Sequence, residues 1–289
     1  MKIDKVVFAS SVEYSPFWNI QSAIYRNVLG IEPVCLLYGK KSETNMSEQW
    51  GRVIECEVNP NLPYILQLTW SKFHHPICEP DTVWLMGDID MIPLQRHHFT
   101  TGLADAPDDA LLHLNASGQS VARLGITDGF RTCGCLRHGG CDLPAHYFVG
   151  KGSQFQVFTQ GRNFEEQIRY MTESDQYGLG PVTNQRHLPK TGNYAYYWCA
   201  EENYSSELLE KAIKAGAVKF MPFFYNNVND TQRIDRSGWR DDYQDYTYTP
   251  AKVAVGQIVD IHCARPFAKQ EAALTRILSL FLVPEMSEE

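Results

Sequence analysis

Two aspartates one residue apart, Asp88 and Asp90, follow the apolar run Val83-Trp84-Leu85-Met86 and a glycine, Gly87. Side chains at i and i+2 of an extended segment point the same way, with alpha carbons about 6–7 Å apart. If the segment stays near-extended, both carboxylates can converge on one cation, and such hard oxygen ligands suit magnesium or manganese. A cation there would neutralise a diphosphate leaving group, the electrostatic task in breaking a sugar–phosphate bond. Aspartate is also a common turn former, so the same residues read equally as a plain turn after a strand. The apolar run and glycine before the acids, and Pro93 after them, favour the ligand reading.

The elements that must hold this motif lie on both sides of it. Val6 to Ser10 is an apolar run. Ile20, Ala23, Ile24, Val28 and Leu29 then recur at helical spacing, and Pro33 to Tyr38 supplies a second strand closed by Gly39. Such a β-α-β opening favours a parallel sheet with binding residues at the carboxyl ends of the strands. After a polar loop from Lys40 to Gln49, Arg52 to Val58 reads as a short strand. Pro63 begins a helix with Ile65, Leu66, Leu68, Trp70 and Phe73 on its apolar face, and Pro76 stops it. Lys72 on that helix either approaches the diphosphate or belongs to a solvated face. Past Pro93 the pattern is less regular. Strands are expected at Ala110 to Leu114, Leu143 to Val149, Phe220 to Tyr225 and Gln257 to Ile261, with a turn at Gly150 to Ser153 leading into a helix from Gln154. Further helices are expected over 163 to 173, over Glu202 to Ala215 with Gly216 at its C′ position, and over Lys269 to Phe281.

The chain has 289 residues, enough for a substantial α/β core, and no repeat or linker divides it, so residues 1–289 are read as one domain. Residues 1–94, with their alternating elements, read as a nucleotide-binding half of the doubly wound kind, and residues 95–289 as the other half. A net charge of −8 with no basic patch excludes nucleic acid as the main partner. No apolar run approaches the roughly 20 residues of a transmembrane helix, and the first residues read as a strand rather than a signal peptide. The eight cysteines are scattered and expected to be reduced, which with the missing anchor points to a cytoplasmic protein. Cys133, Cys135, His138 and Cys141 have a zinc-like spacing, but the one-residue gap between the first two is tighter than usual, and an acceptor loop is the preferred reading.

Trp84-Leu85-Met86-Gly87-Asp88-Ile89-Asp90-Met91-Ile92-Pro93-Leu94 resembles the DxD segment of nucleotide-sugar glycosyltransferases of the GT-A fold. The resemblance extends over Val6 to about Leu94. It implies a mixed, mostly parallel sheet flanked by helices, a manganese or magnesium cofactor bridging the donor diphosphate, a UDP-sugar or other nucleoside-diphosphate-sugar donor, and a glycan or glycoconjugate acceptor. Asp88 and Asp90 would bind the metal, and Asp88 would also reach the ribose. Downstream, Asp260-Ile261-His262-Cys263-Ala264-Arg265-Pro266-Phe267 is similar to the C-terminal His…Lys-Pro-Trp segment of glycogenin-like and bacterial galactosyltransferase-like members. By that analogy His262 is a third metal ligand and Arg265 faces the phosphates, although the histidine-to-proline spacing is shorter and Phe267 replaces tryptophan. Trp198-Cys199-Ala200-Glu201-Glu202 resembles the family's acceptor-side acidic segment. Glu201 or Glu202 is therefore the candidate catalytic acid, with Trp198 able to stack on a sugar and Asp235 in reserve. Either glutamate could instead serve the dipole of the helix that follows. Donor contacts in the family begin at the end of the first strand, here Ala9, Ser10 and Ser11, with Tyr14 available for base stacking, and His146 lies where the family packs a strand beneath the donor sugar.

Two other functions use parts of this pattern. A magnesium-dependent phosphatase of the haloacid dehalogenase type also has a strand-end Asp-x-Asp. Its motif continues to threonine or valine, where this chain has Ile92, and sits on the first strand. A non-catalytic nucleotide-sugar-binding module would keep the fold without turnover.

Overall fold

The computed structural model describes residues 1–114, 147–173, 200–222, 233–234, 253, 255–263, 267–269 and 271–281. Successive residues of a strand face opposite sides of a sheet, and strand β1 (Lys5–Ser11) is apolar on both. Val6 and Phe8 enter one core, Val7 and Ala9 the other. β2 (Glu32–Tyr38) and β4 (Val83–Met86) divide in the same way, Cys35, Leu37 and Leu85 on the first side and Leu36, Trp84 and Met86 on the second. A sheet apolar on both faces has to be covered on both. α1 (Trp18–Ile24) and α6 (Glu271–Phe281) supply Trp18, Ile24, Leu274 and Ile277 to the first core. The second core takes Leu66, Trp70 and Phe73 from α2 (Tyr64–His74), Ile168 from α4 (Phe164–Glu173) and Tyr204 and Leu208 from α5 (Ala200–Lys214). The remaining described α-helix, α3, is a single turn (Arg96–Phe99).

With β3 (Arg52–Glu55), β6 (Ala110–His113), β7 (Phe148–Lys151) and β8 (Lys219–Pro222), these strands form a seven-stranded sheet in the order β3-β2-β1-β4-β7-β6-β8. β1 pairs in parallel with both β2 and β4, and only β7 runs against its neighbours. The protein is thus an α/β fold with a mixed, mostly parallel sheet flanked by helices, as the sequence led us to expect. A second sheet was not foreseen. β5 (Met91–Pro93), β9 (Arg233–Ile234) and β10 (Asp260–His262) pair in the order β5-β10-β9, with His262 opposite Met91 and Ile261 opposite Ile92. Strands of two or three residues carry too little alternation to register as a pattern.

Three other details differ from expectation. The core face of α1 is Trp18, Gln21, Ser22 and Ile24, continued by Tyr25 and Leu29 in a π-turn capped by Gly30 at φ 71°, whereas Ile20, Ala23 and Val28 are only half-buried. Trp18 and Tyr25, seven residues and thus two turns apart, claim the core because they bury the largest areas. No α-helix starts at Gln154: β7 keeps Gly150 and Lys151, and a 3-10 segment, Gly152–Phe158, follows directly. Gly152 is pressed against the 3-10 turn that follows α2 (His75–Cys78), where a Cβ would lie 2.1 Å from the Pro76 carbonyl oxygen. The strand expected from Gln257 pairs only from Asp260. Among the described residues no helix is long and apolar enough to cross a membrane. The cysteine-rich stretch from 115 to 142 lies outside the described residues, as do residues 226–232 and 235–251.

Candidate functional site

β1 and β4 run side by side, with Val7 opposite Met86. Past Met86 the chain passes tightly over Phe8. A Cβ on Gly87 would sit 2.6 Å from Phe8 Cε1, and the Gly87 N–H donates to the Val7 carbonyl at 2.9 Å. A side chain at residue 87 would have to displace a fully buried ring. The backbone then folds into a tight turn closed by the Met91 N–H donating to the Asp88 carbonyl at 3.1 Å, and enters β5. The near-extended path that would send both carboxylates the same way is therefore not taken. The turn is held from outside by Gln21, a fully buried residue of α1. Its side-chain amide donates toward the carbonyls of Met91 at 2.6 Å, Ile89 at 3.1 Å and Asp88 at 3.4 Å.

The two aspartates leave this turn toward different partners. Asp90 is buried and faces the second sheet. The Cys263 N–H donates to its carbonyl at 2.8 Å, and His262 Nε2 lies 3.8 Å from its Oδ2. Asp88, its side chain one-third exposed, forms an ion pair with Lys72 of α2. Lys72 is 4% exposed, so it belongs to no solvated helix face. α2 is packed on more than one side, and Trp70, Ser71, Lys72 and Phe73 are buried in succession.

These groups line a single cleft of about 240 Å³. Ala9, Ser10, Ser11 and Tyr14 border it from the end of β1 and the 3-10 turn that follows. Lys72, Asp88, Asp90 and His262 face it from α2, the turn and β10. Glu201 and Glu202 close it from the first turn of α5. Glu201 is 7% exposed, and among the described residues its Oε2 has no hydrogen-bond partner. Burial, and then the neighbouring Glu202, hold its carboxyl well above the usual carboxylate range, against the opposing pull of Lys72. The cleft thus combines a cation, acids of differing burial and an imidazole at the carboxyl ends of parallel strands, where open α/β sheets bind ligands.

No protein-family model matches the chain, and no curated protein sequence does. Among solved structures it is similar to the galactosyltransferase LgtC in complex with donor and acceptor sugar analogs, at 14% identity over 97% of this chain and 98% of that one, with a TM-score of 0.42. It is also similar to the bifunctional glycosyltransferase WbbM, at 11% identity and a TM-score of 0.45, over 97% of this chain but only 50% of that one. A third likeness is to the apo-form glycosyltransferase GlyE of Streptococcus pneumoniae TIGR4, at 12% identity and a TM-score of 0.39, over 98% of this chain and 61% of that one. Likeness at this level assigns no activity; the residues of the cleft have to do so.

Among the described residues no three His, Cys, Asp or Glu side chains are gathered into a ready metal centre. Asp90 and His262 nevertheless fit one cation. Two atoms each about 2.1 Å from a magnesium-sized ion lie no more than about 4.2 Å apart, and theirs are 3.8 Å apart. An ion that Asp88 joined in holding would compete with the Lys72 ammonium for the same carboxylate. Trp198, Asp235, Arg265 and His146 lie outside the described residues. Next to His146, Tyr147 and Phe148 are core residues, Tyr147 packing on Phe99 and Phe148 on Phe73 and Phe158. Sequence reasoning missed Gln21, although one signal was present: a glutamine three residues from both Trp18 and Ile24, on a face otherwise suited to the core. It also missed Tyr64, Leu68 and Thr69, which line the cleft from α2.

Proposed function

We propose that this chain is a divalent-metal-dependent glycosyltransferase of the GT-A type, moving a hexosyl or pentosyl group from a nucleoside-diphosphate sugar, by resemblance a UDP-sugar, to a hydroxyl of a glycan or glycoconjugate. The observation that carries this reading is the convergence on one cleft of the β1 end, the Asp88–Asp90 turn, His262 and the first turn of α5. Residues 1–289 then act as one catalytic domain, with the nucleotide half in residues 1–94.

On this reading Ala9, Ser10, Ser11 and Tyr14 receive the nucleoside. Asp90 and His262, joined by Asp88, hold Mn2+ or Mg2+, which supplies positive charge to the departing diphosphate. Lys72, released from Asp88, turns its ammonium to the phosphates, and Arg265 assists from the segment after β10. Glu202, the less buried of the two glutamates, takes the acceptor proton or steadies positive charge on the sugar. Glu201, whose carboxyl burial holds well above the usual carboxylate range, faces the sugar beside Glu202. Trp198 offers a stacking face to a sugar, His146 lies beneath the donor sugar, and Asp235 is the reserve acid.

The test is incubation with a panel of nucleotide sugars and Mn2+, following release of the nucleoside diphosphate with and without candidate acceptors. Release from at least one donor, abolished by chelation, is expected. Phosphate release from small esters without any nucleotide sugar, or donor binding with neither hydrolysis nor transfer, would overturn the proposal.

A further inference from the structure

We infer that Gln21 is a positioning residue for the metal site, setting the conformation of the Asp88–Asp90 turn from the buried face of α1. The inference rests on the metal-dependent reading above and adds a residue that touches neither cation nor substrate. Three observations carry it. Gln21 is fully buried, so its amide hydrogens have to be used within the protein. They are directed at three carbonyls of one turn, those of Asp88, Ile89 and Met91. Those carbonyls bracket both aspartates, so the amide fixes the peptide planes from which the two carboxylates depart.

The same turn is pinned at both ends, by Gly87 against Phe8 and by Cys263 bonded to the Asp90 carbonyl. Between these pins the backbone has one side-chain donor, Gln21, among the described residues. Without it, the Ile89 and Met91 carbonyls lose this donor, and the turn has reason to rotate them toward water. That rotation swings the carboxylate of Asp90 away from His262. Groups that orient metal ligands without touching the metal commonly change affinity by about 10–100-fold when replaced.

Gln21→Met keeps the length and burial of the side chain and removes the donors. Gln67→Met is the matched control. Gln67 is a buried glutamine of α2 whose amide bonds the carbonyls of Asn59 and Leu62 at 3.0 Å each, away from the turn. The experiment titrates the full chain with Mn2+ alone by calorimetry, alongside thermal unfolding. Gln21→Met is expected to weaken Mn2+ binding about tenfold or more, whereas Gln67→Met lowers Tm comparably and leaves Mn2+ affinity within about twofold. If both variants lose affinity in proportion to their loss of Tm, Gln21 is an ordinary core residue and the inference fails. Wild-type-like affinity in Gln21→Met overturns the inference alone. A wild-type chain that binds no Mn2+ overturns the metal reading and the role of Gln21 with it. If Gln21→Met fails to fold, Gln21→Glu, which sets a carboxylate oxygen against the same carbonyls, takes its place with the same expected loss.

Discussion

Replacing Lys72 by methionine separates two roles of one ammonium, the ion pair it makes with Asp88 and the contact with donor phosphates proposed above. Lys72 pairs with Asp88, the lysine nearly fully buried and the aspartate side chain 33% exposed. Breaking a buried pair by removing one partner costs about 3–5 kcal/mol, but water reaches Asp88 and reduces this to about 2 kcal/mol. At about 2–4 °C per kcal/mol for a chain of this size, Tm should fall by roughly 4–8 °C. Asp88 then no longer has the Lys72 ammonium competing with a cation for its carboxylate. Added Mn2+ should therefore raise the Tm of Lys72→Met by more than it raises that of the wild type, while affinity for a nucleoside diphosphate in saturating Mn2+ falls because the phosphates lose a cation. The assay is differential scanning fluorimetry across an Mn2+ series, followed by calorimetry with UDP. An Mn2+-dependent Tm gain in Lys72→Met no larger than in wild type would refute the competition between lysine and metal. Unchanged UDP affinity would remove Lys72 from donor binding.

Two further substitutions test the geometry around the cleft. Gly87→Ala places a methyl 2.6 Å from Phe8 Cε1 and 3.3 Å from Val6 Cγ2. Overpacking of this kind costs about 1–3 kcal/mol, so Tm should fall by several degrees and an unchanged Tm would contradict the close approach. Glu201→Gln tests the buried acid through the pH dependence of stability. A carboxyl whose folded-state pKa lies above its unfolded value contributes its full stability below the unfolded value, near 4.3, and loses it as pH rises through the folded-state pKa. Glu201→Gln should therefore match wild type near pH 4 and unfold at a higher temperature than wild type at pH 8. A Tm difference that does not vary with pH would mean that burial does not raise the Glu201 carboxyl.

How far the sequence could be read depended on how local the determining contacts are. β1, β2 and β4 were visible because strands buried on both faces are unbroken apolar runs. Asp88, Asp90, Glu201 and His262 were visible as residue types at strand ends and at a helix start, and all four border the cleft. The shape of the Asp88–Asp90 segment was not, because the side chain that holds its turn, beside the local Met91-to-Asp88 bond, is Gln21, 67 to 70 positions earlier in the chain. The placement of His262 beside Asp90 depends on pairing between β5 and β10, strands of three residues each with no readable alternation. Burial of Lys72 was hidden for a similar reason: α2 read as one-sided from its spacing, whereas α4, α5 and the sheet pack around it.

The central claim, that Asp90 and His262 are two of the three protein ligands of a cation site for a nucleoside diphosphate, is tested most directly by calorimetric titration of UDP into wild type and Asp90→Ala, each with Mn2+ and with chelator. UDP binding is expected to require Mn2+ in the wild type and to be lost in Asp90→Ala while the variant keeps a cooperative unfolding transition. UDP binding of equal strength with and without Mn2+, or undiminished in Asp90→Ala, would contradict the account.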